Sequence, residues 1–219
     1  MITDGNEAIR SKIRTAAEIL FATQGYEGTS LRMITRSAKV NLAAVNYHFN
    51  DKVGLFTDVF SRRVNALSDA RLVRLKEAQE RAGDSPMPLR AILDALVAPM
   101  FELAQDTVHG GQFAVRIIGR SLTEPQPFMT ALLAKEFHPV MIRFAQAMRR
   151  QMPDLPPEDF LWRLSFVVGA MHHTLATIHQ MKELTSGVCR SDDHAGALRR
   201  FLDFGVCALS TPANRIDRE

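Results

Sequence analysis

Residues 29–52, Thr-Ser-Leu-Arg-Met-Ile-Thr-Arg-Ser-Ala-Lys-Val-Asn-Leu-Ala-Ala-Val-Asn-Tyr-His-Phe-Asn-Asp-Lys, constrain this chain most, because they dictate two short helices joined by a tight turn. Thr29 or Ser30 can cap the first helix, where a side-chain oxygen satisfies an N–H two or three residues on. Leu31, Ile34 and Ala38 fall at i, i+3 and i+7 and form one apolar face. Arg32 and Arg36 make a basic edge one turn apart. Lys39-Val40-Asn41 makes the turn, with Val40 pointing inward and Asn41 placed to cap the next helix. In that helix Leu42, Val45 and Phe49 share a stripe that packs on the first. At about 100° per residue, Ala43, Ala44 and Tyr47 then face outward and Asn46 sits at the boundary.

A short helix presented in this way suits a DNA major groove. Two exposed alanines let the backbone approach base edges. Asn46 can bond an adenine edge bidentately, Tyr47 can reach a phosphate or a thymine methyl, and Lys52 can hold a phosphate one turn later.

The run Gly25-Tyr26-Glu27-Gly28-Thr29-Ser30, then Leu31-Arg32-Met33-Ile34, then Val45 through Lys52, resembles the N-terminal domain of TetR-family transcriptional regulators. The resemblance covers roughly residues 7–60. Within the family, Val40 through Phe49 is similar to the fatty-acid-responsive PsrA-like members. The resemblance implies DNA contacts at Arg32, Leu42, Ala43, Ala44, Asn46, Tyr47, His48 and Lys52. It also implies an all-α fold of about nine helices. Residues 1–51 would form the helix-turn-helix DNA-binding domain and residues 52–219 a helical domain for ligand binding and dimerisation. One departure matters: Lys39 stands where members commonly carry glycine. If the turn needs a positive φ, lysine costs about 1 kcal/mol there, but its charge lies near the phosphates.

Charge supports the same end of the molecule. The chain of 219 residues has 27 Lys/Arg and 24 Asp/Glu, a net +3. Residues 1–63 hold nine of the basic residues and six of the acidic ones, so the remainder carries eighteen of each and balances to zero. All the positive excess lies with the helix-turn-helix, as phosphate attraction requires. No apolar run has the length of a membrane span, and the polar start from Met1 to Glu7 is not a secretion signal. Two cysteines, Cys189 and Cys207, are expected as free thiols in a cytoplasmic protein.

Helical periodicity dominates the rest. A first helix is expected from about Glu7 to Gln24, stopped by Gly25, with Arg10 and Arg14 able to add phosphate contacts. A long fourth helix follows the Asp51 cap through Leu55, Phe56, Val59, Phe60, Val64, Leu67 and Leu72 to about Ala82. Breaks at Gly83–Pro88, His109–Gly111, Thr123–Pro127 and Pro153–Pro157 separate helices near 88–105, 111–123, 127–151, 158–184 and 193–210. Leu161, Leu164, Val168, Met171, Leu175 and Ile178 are spaced 3-4-3-4-3, a bundle seam. With Leu198, Phe201, Leu202 and Leu209 they are expected to form half of a four-helix interface between two copies; Val206 lies on the same side. A homodimer would present two recognition helices to a near-palindromic operator.

Phe101, Phe113, Phe137 and Met141 are candidates to line an apolar effector pocket, with His172 as a polar contact. Arg116 and Arg120 are candidates for an acidic head group, or else for internal ion pairs with Glu102, Asp106, Glu124 or Glu136. The resemblance tilts the effector toward a fatty acid or an acyl thioester. His172, His173, His179, Cys189 and His194 fit no metal spacing, since His172 and His179 lie about 10.5 Å apart along a helix. No catalytic triad, phosphate loop or paired carboxylates can be assembled, so neither enzyme activity nor a cofactor is expected. The expectation is a ligand-responsive transcriptional repressor; the alternative is a helical protein-interaction module that binds neither DNA nor effector.

Overall fold

Helical periodicity becomes ten α-helices in the computed structural model, which describes residues 2–124, 126–190 and 192–212. They are α1 (Ile2–Gly28), α2 (Leu31–Ala38), α3 (Leu42–Phe49), α4 (Lys52–Ala82), α5 (Leu89–Gln105), α6 (Gly111–Thr123), α7 (Met129–Arg149), α8 (Pro157–Thr177), α9 (Met181–Leu184) and α10 (His194–Ser210). Nine exceed a single turn, and no strand occurs among the described residues. Met1 of the polar start and Pro125 of the expected break at 123–127 lie outside the described residues. The helix expected to reach Leu184 stops at Thr177 instead, followed by a 3₁₀ turn at Ile178–Gln180 and the one-turn α9.

The chain forms two compact units. One holds the chain up to Leu67 together with Leu103–Phe137; the other holds Ser68–Glu102 together with the chain from His138 onward. Helix α4 is continuous through Leu67 and Ser68, and so contributes to both.

In the first unit, Ile13, Ala17 and Phe21 of α1 are buried with Ile34 and Ala38 of α2, Val45 and Phe49 of α3, and Leu55, Phe56 and Phe60 of α4. Helix α6 lies along α1. Gly25 interrupts α1 at φ 75°, where the expected stop falls. Its carbonyl accepts the Thr29 hydroxyl at 2.7 Å. A Cβ there would lie 2.6 Å from Arg120 Nη1 and 2.8 Å from Glu124 Oε2, which form an ion pair of their own. Glycine is needed twice over, for its backbone and for its lack of bulk. Gly25→Ala should therefore lower folding stability by about 1–3 kcal/mol in urea unfolding, combining left-handed strain with overpacking.

In the second unit, α5 is buried from Ala95 to Phe101. Pro99 sits within it and cannot donate to the carbonyl four residues back. Helix α8 starts with Pro157, Glu158 and Asp159, suited to a first turn that needs few donors and favours negative charge. Arg163 donates to the Leu209 carbonyl at 3.3 Å and to that of Thr211, tying α8 to the end of α10. Arg74 pairs with Glu102 across α4 and α5 at 2.6 Å.

Candidate nucleic-acid interface

The caps predicted from residue type hold the two short helices. Ser30 Oγ accepts from Met33 N at 3.2 Å and Asn41 Oδ1 from Ala44 N at 2.8 Å. Thr29, the other candidate cap, is buried and binds the Gly25 carbonyl instead. Asp51 Oδ1 accepts from Gly54 N at 2.7 Å and starts α4. The turn is left-handed at Lys39, with φ 56° and ψ 46°, and its N–H closes on Arg36 and Thr35 carbonyls. The charge that favours DNA thus occupies a position that favours glycine. Lys39→Gly should raise stability by about 1 kcal/mol in urea unfolding while lowering the slope of log affinity against log salt by about one.

Val45 and Phe49 anchor α3. Leu42 does not join them: it is 43% exposed, and Ala43 and Asn46 are exposed beside it, so the expected three-residue stripe shrinks to two. Leu42 is the first residue of α3, one helical turn before Val45, and is left largely open to solvent. Tyr47 is 75% exposed and His48 half-buried, their rings in edge contact at 5.0 Å; Ala44 is half-buried. The face left to solvent is Leu42, Ala43, Asn46 and Tyr47.

Basic side chains around this face fall into two groups. Arg10 and Arg14 do not wait for phosphate, as the sequence allowed. Both bind Asp58, at 2.8 and 2.6 Å, and Arg14 also binds Glu7. Burial works against the Asp58 charge, but the hydrogen bonds and charges of the two arginines outweigh it and hold the carboxyl below its usual range. Arg63 is likewise committed, to Glu18 and to the His109 carbonyl at 2.7 Å. Arg32, Arg36 and Lys39 are exposed and have no carboxylate partner among the described residues. Lys52 is half-buried, its Nζ 4.1 Å from the centre of the Tyr26 ring. That cation–π contact steers the ammonium beside the start of α4.

The structure distributes the other candidate residues unevenly. Phe113, Arg116, Arg120 and Phe137 belong to the first unit, whereas Phe101, Met141 and His172 belong to the second. Arg120 is paired with Glu124 at 2.7 Å, the internal alternative, and Arg116 is exposed. Phe101 is buried against Phe201 with ring centres 5.8 Å apart. Phe113, Phe137 and Met141 are half-buried. His172 Nδ1 donates to the Val168 carbonyl, 2.8 Å away. An open groove of about 360 Å³ along α4 and α5, lined by Val73, Arg74, Glu77, Arg81 and Asp94 among others, includes none of the seven.

The expected interface seam is largely internal. Leu164, Met171, Leu175, Phe201, Leu202 and Leu209 are buried in their own unit; Val168, Ile178 and Leu198 are half-buried. Only Leu161 of that set is well exposed, at 59%. The 3-4 rhythm packs α8 on α10 within one chain, and the open apolar side chains sit beside it: Trp162, Phe166 and Phe204. The Trp162–Phe166 pair, one turn apart, was the available signal for this face. Cys189 and Cys207 are free thiols, both exposed. No helix of the described residues is long and apolar enough to cross a membrane, and no group of three potential ligands among them is placed to hold a metal.

Residues 13–59 match the family described as bacterial regulatory proteins, tetR family, and residues 94–208 match the tetracyclin repressor-like C-terminal domain. The "Probable HTH-type transcriptional regulator YttP" of Bacillus subtilis is 42% identical over 52 residues, 24% of this chain and only 25% of that relative's length. Among solved structures, the fatty acid degradation regulator FadR from Bacillus halodurans aligns with a TM-score of 0.66 at 15% identity, covering 93% of this chain and 100% of its own. A protein from Saccharomonospora viridis in complex with choline aligns at 0.57 and 18%, covering 90% and 96%. Such low identities speak to the fold alone. The second family match spans more than half the chain and lies C-terminal to the helix-turn-helix match, so the chain belongs to the TetR family of transcriptional regulators.

Proposed function

We propose that this regulator is a dimeric repressor that reads a near-palindromic operator through α3 and releases it when a small apolar or acyl-type effector binds the C-terminal portion. The observation that carries the DNA reading is the sorting of charge: Arg10 and Arg14 of α1 and Arg63 of α4 are neutralised internally, while Arg32, Arg36 and Lys39 of the helix-turn-helix stand exposed. In this reading Leu42, Ala43, Ala44, Asn46 and Tyr47 meet the groove, and Arg32, His48 and Lys52 meet the backbone. Residues 1–51 act as the reading head and 52–219 as the regulatory and dimerisation part. The fatty-acid or acyl-thioester class rests on the likeness of residues 40–49 to the PsrA-like members.

Helix α4 supplies the mechanical link, because it is one unbroken helix that begins beside α3 and ends in the second unit. Effector that displaces its later turns changes the separation of the two recognition helices. Binding that depends on both helices engaging then falls steeply with small shifts. Fluorescence anisotropy on duplexes from the region upstream of the protein's own gene, at two salt concentrations, tests this. Tight binding that weakens steeply with salt is expected; indifference to every duplex at low salt would leave the protein-interaction alternative.

A further inference from the structure

The second unit contains a charge that its own fold leaves uncompensated. Arg71 lies on the inward stripe of α4, in register with Val64, Leu67 and Ala78, and is only 3% exposed. A guanidinium carries five N–H donors. Among the described residues Arg71 makes one hydrogen bond, from Nε to the Leu96 carbonyl at 2.8 Å, and no ion pair. Leu96 lies on α5 one residue after Ala95, the residue whose carbonyl Pro99 leaves without its helical donor. That accounts for one donor and leaves the positive charge unanswered, although buried cations are ordinarily paired.

Two further polar atoms nearby lack partners. Ser68 Oγ, one turn before Arg71 on α4, is buried without a hydrogen bond, and so is Nε2 of His172 on α8. The His172 Nδ1 faces the Val168 carbonyl at 2.8 Å and therefore carries the ring proton, which leaves Nε2 a bare acceptor. Burial, with the Arg71 charge adding to it, lowers the His172 pKa and keeps the ring neutral; burial alone pushes Arg71 down to about 10, still protonated at neutral pH. The helices that face α4 here bury apolar side chains, Leu93, Leu96 and Met100 on α5 and Val167 on α8.

We propose that Ser68, Arg71 and His172 form the head-group site for an organic carboxylate with an apolar body. The carboxylate takes the free guanidinium donors and the Ser68 hydroxyl. The His172 Nε2 accepts from a hydroxyl or amide N–H of the ligand where one is present. The assignment rests on the effector reading above, and Arg71 replaces Arg116 and Arg120 as the cation that anchors the carboxylate. It also sets the sign of selectivity: a buried Arg71 repels a quaternary ammonium such as the choline found with the Saccharomonospora viridis protein.

Thermal unfolding and operator binding of the full-length protein, with octanoate, hexadecanoate and benzoate set against their methyl esters and choline, test it. The carboxylates should raise Tm and release DNA, while the esters and choline do neither at equal concentration. Arg71→Gln should weaken the carboxylate response at least about tenfold, Arg71→Lys should keep part of it, and Ser68→Ala should reduce it less. Arg71→Gln should also leave the ligand-free Tm unchanged or higher, since it removes an unpaired buried charge. Equal action of acids and esters, or an undiminished response in Arg71→Gln, would overturn the site. Release by esters or choline alone would overturn the site and leave the effector reading standing; no response to any compound would remove both.

Discussion

Phe166→Glu is expected to turn the protein into a folded monomer whose operator affinity is lower by about 10²–10⁴-fold. Leu161, Trp162, Phe166 and Phe204 are all more than half exposed, and the Trp162 and Phe166 rings lie 5.8 Å apart. Large apolar side chains gathered on one face mark a surface that another chain covers. Gly169, three residues beyond Phe166, has nothing within 4 Å of the position a Cβ would take, so a partner helix can come close. A carboxylate placed at residue 166 meets its own copy across a twofold axis and must be desolvated there. Neither interaction exists in a separate protomer. Each recognition helix then binds alone, without the high effective concentration that its twin supplies. Sedimentation velocity and fluorescence anisotropy measure the two effects together. The contrast is Leu164→Ala, which truncates a side chain buried inside its own protomer. It should lose about 2–5 kcal/mol of folding stability. If Phe166→Glu stayed dimeric, the face would belong to some other contact.

Asn46→Ala should cost about 1–3 kcal/mol on the best operator and relax preference at one base pair in each half-site. Asn46 lies on the open face of α3, between Val45, which is fully buried, and Tyr47. Its amide combines a donor and an acceptor in the spacing of the adenine N6/N7 edge. Neighbouring Ala43 is small and exposed, so the helix axis can approach the bases closely enough for a side chain of that length to reach. Binding measured on a set of single-base operator variants separates the roles. Loss confined to one position assigns base recognition; equal loss on every sequence assigns Asn46 to the phosphate backbone.

Local chemistry explains which features were legible before the structure. Ser30, Asn41 and Asp51 were readable as caps because a side-chain oxygen acts on N–H groups within three residues. Gly25 announced a helix end, and helix periods placed α4 through α7 nearly to the residue. The failures share one cause, which is that sequence spacing assigns residues to a face without saying what covers it. The 3-4 seam of α8 was real, yet α10 of the same chain occupies it. Leu42 had the right period for burial, yet at the first position of α3 it stays 43% exposed. Arg10 and Arg14 looked free because Asp58 lies more than forty residues away. Arg71 carried a signal of its own, since a charged residue at i+4 from Leu67 falls within an apolar stripe.

The central claim is that the exposed face of α3 reads DNA sequence. Selection of random duplexes on the purified full-length protein, with the enriched pools sequenced for the native chain and for Asn46→Ala, tests it most directly. The expected result is a near-palindromic motif with half-sites one helical turn or a multiple apart, losing one matched position per half-site in the variant. Failure to enrich any motif, or an identical motif from both proteins, would contradict it.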